Sequence, residues 1–143
     1  MVNENLKIRG RMEIFNSRTG KLLYEKNNLI VNTGLHYLID MLKVNRDPIG
    51  WIEVGTGTNV VSAGDTALQI PLMRKEVTDI DTIGNVFTAE TQFEDLEAVA
   101  VWKECGMFNA SSGGIMFNRI NINFDKTTED AVRVKFTITL IAG

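Results

Sequence analysis

Residues able to carry out acid–base or nucleophilic chemistry are scarce in this chain. It has one histidine, His36, and one cysteine, Cys105, and neither lies in a pattern that pairs a nucleophile with a base. A single cysteine excludes an intrachain disulfide and a cysteine-based zinc site, and a single histidine excludes a two-histidine metal site. We expect His36 to be structural and Cys105 to be a buried, unreactive thiol. The residue types therefore predict a protein that is not an enzyme and holds no cofactor or metal.

Acidic residues leave one route to chemistry open. Asp79 and Asp81 are spaced to share one face of a strand, and such a pair binds a divalent cation only when further oxygen ligands join it. Glu94, Asp95 and Glu97 follow a strand and are typical of a solvated turn. Exposed acidic residues are the simpler interpretation of both groups. A hydrolase whose catalytic carboxylates are distant in sequence stays an open hypothesis.

Two further motifs favour structural roles over ligand binding. The glycine-rich segment 55–64 lacks the Lys-Ser/Thr pair of a phosphate loop, and no glycine lies three positions after Gly57, as a dinucleotide fingerprint requires. Lys7, Arg9 and Arg11 form a basic row on one strand. The chain nevertheless has 15 basic and 18 acidic residues, a net charge of −3, which argues against a nucleic-acid partner. A solvated or interface face explains the row better.

The two tryptophans suggest one contact site. Trp102 lies in an apolar strand and is expected in the core. Trp51 follows Pro48-Ile49-Gly50, so we expect partial exposure and take it as the candidate contact for a glycan or a partner protein. An exposed aromatic ring can stack on a sugar, which makes Trp51 the only candidate binding residue that the residue types indicate.

Length and composition indicate one globular domain over residues 1–143. The chain is 44% hydrophobic and 23% charged, which is typical of neither disordered nor membrane proteins. Its longest apolar stretches, such as 98–102, are too short to span a bilayer, so no membrane partner is expected. The first residues have neither a basic region nor an apolar run of a targeting signal. We expect folding in a reducing cytoplasm.

The elements that must position these residues are mainly strands. The chain has 12 valines, 14 isoleucines and 13 threonines, which favour strand over helix. The clearest alternation lies at 132–140, and Met73 to Ile83 is a weaker strand whose alternation slips near Asp79. Seven to eight short strands predict an antiparallel β-sandwich of two packed sheets. Leu35, Leu38, Ile39 and Leu42 have helical spacing, which predicts one α-helix near 33–44 over one sheet edge or one end of the sandwich.

Several segments together resemble bacteriophage tail-fibre and baseplate proteins. The first pair of segments is 52–58 with 64–68. The second pair, 104–109 with 112–119, is similar to the Glu-Ala-Gly-Leu-Phe and Gly-Gly turn of those proteins. Residues 28–35 resemble their usual entry into the one helix. The resemblance covers about residues 28–124; Cys105 replaces the usual alanine, and the segment after Leu68 lacks the usual acidic residue. Gly113-Gly114 supplies the positive φ angles of a tight hairpin, and Gly55 and Gly57 allow conformations closed to other residues where a strand leaves the sheet.

The resemblance implies a virion component of the tail tip, baseplate or fibre. Its fold would be a jelly-roll-like sandwich, similar to the shoulder domain of a siphophage receptor-binding protein, without that protein's neck and head. The implied partners are other tail or baseplate proteins, with self-association left open, and the implied location is the virion tail or the host cytoplasm during assembly. No catalytic residues carry over. The alternative hypothesis is a carbohydrate-binding module that recognises a host cell-wall glycan through Trp51.

Overall fold

The structure, a computed structural model, describes residues 6–142, which form nine antiparallel strands and one short helix. The helix, α1 (Asn32–Asp40), lies between the second and third strands. The strands are β1 (Lys7–Asn16), β2 (Leu22–Ile30), β3 (Trp51–Gly55), β4 (Pro71–Glu76), β5 (Asp79–Ile83), β6 (Val86–Phe93), β7 (Ala100–Phe108), β8 (Met116–Lys126) and β9 (Val132–Ile141). The all-β prediction is confirmed.

The nine strands form one sheet that curls into a half-barrel, in the order β4-β3-β7-β8-β2-β1-β9-β6-β5. The link between its halves is β2, which pairs with β1 along most of its length but with β8 only at Leu29 and Ile30. The curl brings β4 close to β6, where the Thr91 hydroxyl donates a hydrogen bond of 2.7 Å to the Glu76 carbonyl. The two edges of the sheet therefore meet at one end of the half-barrel.

Side chains from both halves fill the interior of the curl. Strand β9 shows the predicted alternation: its inward residues Val132, Val134, Phe136 and Ile138 are buried, and Leu140 is half-buried. Strand β6 alternates in the same way: Ala89, Thr91 and Phe93 on one face are buried, with Phe87 half-buried at its end. The period of two in the sequence therefore gives the register of both strands correctly.

Trp102 lies in this core, as predicted. It is fully buried, and its ring centroid lies 5.1 Å from that of Phe93 and 5.5 Å from that of Phe124. Its indole N–H donates to the Ala98 carbonyl at 2.8 Å, which satisfies the one polar group that burial would otherwise leave unpaired.

Two predictions about the sheet are corrected. There are nine strands rather than seven to eight, partly because the segment from Met73 to Ile83 divides into β4 and β5 at Val77 and Thr78. The slip in alternation near Asp79 marks this break. The strands also belong to one continuous curled sheet rather than two separate packed sheets, because β2 forms hydrogen-bonded ladders with both β1 and β8.

The helix begins and ends earlier than predicted and buries a different side. It covers 32–40 rather than 33–44, and only a hydrogen-bonded turn follows it. Gly34 lies so close to β8 that an added Cβ would be 2.0 Å from the Phe117 carbonyl oxygen, and the Tyr37 ring packs edge-on against Phe117. This close approach buries the side that carries Gly34 and Tyr37, whereas Ile39 and Leu42 of the apolar stripe are 67% and 86% exposed.

Candidate functional site

A buried carboxylate organises the long loop that follows β3, residues 56–70. Glu104 lies on β7 and is fully buried beneath this loop. Its two oxygens accept hydrogen bonds from the backbone N–H groups of Gly57 and Gln69, both at 2.7 Å, and of Ile70, at 2.8 Å. One side chain thus fastens both ends of the loop, because buried backbone donors need partners.

Arg119 supplies the positive charge that the buried carboxylate requires. Its guanidinium lies 3.1 Å from Glu104, and it also contacts Asp65 at 2.9 Å and donates to the Asn59 carbonyl at 3.0 Å. The arginine side chain is 2% exposed, so solvent screens the pair with Glu104 very little. Asp65 and Asn59 both belong to the loop, and the ion network therefore fixes the middle of the loop as well as its ends.

Glycine is required under this loop because there is no space for a side chain. A Cβ at Gly57 would lie 2.3 Å from a Glu104 carboxylate oxygen, and one at Gly106 would lie 2.5 Å from the Asn118 carbonyl oxygen. Neither Gly55 nor Gly57 has a positive φ, so the backbone conformation that the sequence suggested as the reason for these glycines is not that of the left-handed region. That reason holds instead at Gly113 and Gly114, whose φ angles are 59° and 73°, as predicted for the hairpin.

Seven residues from the segments that resemble phage proteins lie around this network. They come from separate segments of the sequence, and the fold places them on one side of strands β3, β7 and β8 or in the loop above it. Four of the seven join the ion network, and the other three lie beside it. The seven are Gly55, Gly57, Asp65, Leu68, Glu104, Gly106 and Arg119.

A second feature, which we call the groove, lies at the open side of the half-barrel. It is a cavity of about 560 Å³ between α1 with the following segment 41–49 on one side and the β5–β6 hairpin on the other. Most of its walls are apolar, and the polar residues are few: Asn45, Arg46, Thr82 and Asn85. The apolar lining includes Tyr37, Leu38, Met41, Ile49, Phe87, Ile138 and Leu140.

An exposed apolar stripe lies beside the groove. Leu35, Ile39 and Leu42 are 39%, 67% and 86% exposed on α1 and the turn after it, and Met41 belongs both to this turn and to the groove wall. Ile83 of the β5–β6 hairpin is also 76% exposed, on the same face of the sheet as Asp79 and Asp81, and its chain neighbours Thr82 and Gly84 line the groove. Groups of exposed aliphatic side chains around a concave apolar surface are typical of protein-interaction sites.

The candidate contact residue Trp51 lies away from the groove. It is half-buried on β3 and packs against a small cluster under the 56–70 loop, formed by Val31, Leu68, Phe108 and Met116. Its neighbours across the sheet are Glu76 and Phe108. Partial exposure leaves one part of the ring accessible, and the role of Trp51 as a glycan or partner contact stays a prediction.

The other candidate chemical groups are dispersed. Cys105 is buried, as predicted, and desolvation raises the pKa of its thiol above the ordinary value, which disfavours a reactive thiolate. His36 is exposed on α1, and Asp79 and Asp81 are exposed on β5. Among residues 6–142, no three His, Cys, Asp or Glu side chains form a group that could hold a metal ion.

The predicted turn after β6 is built around two lysines. Glu97 accepts a hydrogen bond of 2.6 Å from Lys75, and this bond, together with the backbone N–H of Glu94, lowers the pKa of Glu97. The ammonium of Lys126 donates to the carbonyls of Glu94, Asp95 and Thr127, and burial lowers its pKa. The acidic residues of this turn therefore serve the local structure, consistent with the simpler interpretation of their sequence.

Sequence reasoning missed the Glu104–Arg119 pair. Arg119 reads as an outward residue in the alternation of β8, and Glu104 reads as the end of an apolar run. The available signal was a lone glutamate in the mostly apolar strand β7, since a buried carboxylate requires a cation and donors.

Comparison with protein-family models, with curated proteins and with solved structures gives no match for this chain. In the described residues, no helix is long and apolar enough to cross a membrane.

Proposed function

We propose that this chain is a non-enzymatic bacteriophage structural or tail- and baseplate-assembly protein that acts through protein–protein contacts. The observation that carries this proposal is the apolar groove with the exposed stripe beside it. Ile39 and Leu42 are each more than half exposed on α1 and the turn after it, and the neighbouring Leu38 and Met41 line a cavity of about 560 Å³. Water contact with such a surface is unfavourable, so association with a partner would be driven by its burial.

The phage part of the proposal rests on the sequence resemblance. Its support from the fold is indirect: four of the five segments that resemble tail-fibre and baseplate proteins each contribute a residue to the Glu104–Arg119 network. We also propose that the domain is related to the shoulder of siphophage receptor-binding proteins, although its single curled sheet differs from the two-sheet sandwich expected of that shoulder. The proposed location is the virion tail, or the host cytoplasm during assembly.

The competing function is recognition of a host cell-wall glycan. Its candidate residue, Trp51, is half-buried and packs on one side against the cluster that includes Leu68 and Phe108. A stacking platform needs an open ring face beside polar groups, so the partial burial of Trp51 favours this function less than the groove favours protein contact.

Mass spectrometry of purified virions and assembly intermediates, run beside binding of the isolated protein to host cell walls, tests the proposal. We expect the chain in virions or intermediates and no wall binding. Absence from both, with wall binding that Trp51→Ala abolishes, would overturn the proposal in favour of the glycan-binding module. Leu42→Ser should reduce incorporation, whereas Leu96→Ser, which changes an equally aliphatic residue 76% exposed in another turn, should not.

A further inference from the structure

The free edge of β5 forms one rim of the groove. Among the strands that the structure describes, β5 is last in the sheet order and pairs only with β6, and all five of its residues are exposed. Thr82 of this strand lines the groove opposite Pro48 and Ile49. The opening of the half-barrel therefore lies directly beside an unpaired strand edge, where an additional strand would find backbone partners.

The register of β5 fixes which side chains an added strand would meet. Ile80 and Thr82 pair with Ala89 and Phe87, which belong to the inner face of the sheet. Asp79 and Asp81 pair with Glu90 and Thr88 on the outer face. Successive residues of a strand point to opposite faces, so a neighbouring strand would place alternate residues over the apolar groove and beside the two aspartates.

The charges on the outer side of this edge select a basic partner. Within residues 6–142, neither Asp79 nor Asp81 forms an ion pair, whereas Glu90 on the next strand lies 3.2 Å from Arg133. The Asp81 carboxylate accepts one hydrogen bond, from the N–H of Thr82. Two unpaired carboxylates at one edge attract cationic side chains and repel acidic ones.

We propose that the edge of β5 binds an extended segment of a partner protein in which apolar and basic residues alternate, as an added strand of the sheet. This inference rests on the proposed function, because it names the partner chemistry of the same groove. Apolar side chains of the segment fill the space beside Phe87 and Leu140, and its lysines or arginines face Asp79 and Asp81. Pairing of β5 with β5 of a second copy is disfavoured, since it would bring like charges together.

Nuclear magnetic resonance titration of the full chain with a short synthetic peptide that alternates lysine with valine tests this proposal. We expect shift changes and slowed amide exchange concentrated in β5 and in the groove wall, and weaker binding as salt is added. A peptide of the same composition with its lysines and valines in separate blocks should bind weakly, as should a peptide alternating glutamate with valine. Equal binding of the blocked peptide, or shift changes centred outside β5 and the groove, would overturn the proposal.

Variants of the two aspartates separate charge recognition from folding. Asp79→Asn with Asp81→Asn keeps both side-chain shapes and should weaken binding of the alternating peptide about three- to tenfold at low salt, because exposed ion pairs contribute modestly. Asp125→Asn, an exposed aspartate on β8, is the matched control and should change nothing. Unchanged binding by the double variant would defeat the charge argument. A chain found in virions that binds no alternating peptide would defeat this inference alone and leave the proposed function standing.

Discussion

Loop 56–70 after β3 and segment 41–50 after α1 differ in how many polar bonds attach them to the rest of the fold. Loop 56–70 lies over Glu104, which accepts three of its N–H groups, and over Arg119, which reaches Asp65 and Asn59. Segment 41–50 is attached through fewer bonds. The Tyr37 hydroxyl donates to the Asp47 carbonyl at 2.9 Å, and the exposed Arg46 pairs with Asp40 at 2.7 Å.

The difference lies in what each connection covers. Polar groups under loop 56–70 would be costly to bury without partners, so their bonds specify one position for the loop. Under segment 41–50 lies the apolar groove, which leaves about 560 Å³ unfilled. The first region is suited to building the fold, and the second has spare apolar surface for a partner. Substitutions in the two regions should therefore change the unfolding free energy by amounts that differ in sign as well as in size.

The largest effect should come from Arg119→Met, which removes the cation from the buried network. Glu104 keeps its three backbone donors but loses its counter-charge, and breaking a buried pair costs about 3–5 kcal/mol of unfolding free energy. Chemical denaturation measures the loss. Arg11→Met is the control: its pair with Glu25 is about half exposed, and its loss should cost under about 1 kcal/mol. Similar costs for both variants would contradict the role assigned to burial.

Gly57→Ala should have the next largest effect. Its Cβ would lie 2.3 Å from the Glu104 carboxylate and 2.4 Å from Cβ of Gln69, and overpacking of this kind costs about 1–3 kcal/mol. Gly64→Ala in the same loop is a close control, because its Cβ would meet nothing within 4 Å. That change should be neutral or stabilise by up to about 1 kcal/mol through the unfolded chain. Equal melting temperatures for the two variants would show that the loop yields to the added methyl group.

The sequence predicts strands well where one face is apolar and the other polar. Residues 132–140 and 86–93 have a single consistent alternation, so their register and buried face are correct. The number of strands and the shape of the sheet depend on contacts that no local pattern encodes, such as the two-residue ladder between β2 and β8. The helix shows most clearly what a local pattern cannot predict. Its buried face is decided by the close approach of Gly34 to Phe117.

The two sites were predictable to different degrees. The glycines and Glu104 lie within the segments that resemble phage proteins, yet their joint role requires residues up to 62 positions apart to meet, as Asn59 and Asn121 do. For the groove, the sequence contained a partial signal, which was the apolar stripe of the helix. What the sequence could not show is that the fold leaves this stripe exposed beside a cavity.

A smaller effect, of opposite sign, should follow from filling the groove. Leu140 is half-buried in its wall, and Leu140→Phe adds apolar volume where space exists. Cavity-filling changes commonly raise the unfolding free energy by about 0.5–2 kcal/mol. Val134→Leu, on the same strand but 0% exposed in the packed core, should instead cost about 1–3 kcal/mol. Destabilisation of equal size by both changes would mean that the groove is as tightly packed as the core.

The smallest effect concerns the closed end of the half-barrel, where Lys75 of β4 reaches the turn after β6. Its ammonium donates to Glu97 at 2.6 Å and to the Gln92 carbonyl at 2.7 Å, and the first bond is the main reason why the pKa of Glu97 lies below its ordinary value of 4.5. A carboxylate with a lowered pKa in the folded state stabilises the fold above the ordinary pKa. That contribution disappears as the pH falls through the lowered value.

Lys75→Met should therefore reduce the unfolding free energy at neutral pH, and its difference from the natural chain should narrow once the pH drops below about 4.5. Both side chains are partly exposed, at 25% and 31%, so solvent screening keeps the change small. Denaturation curves recorded from neutral pH to about pH 3 measure it, with the exposed Lys43→Met as control. A difference that stays constant across this range would assign the effect of Lys75 to its bond with Gln92 and its packing near the Phe93 ring, rather than to the charge of Glu97.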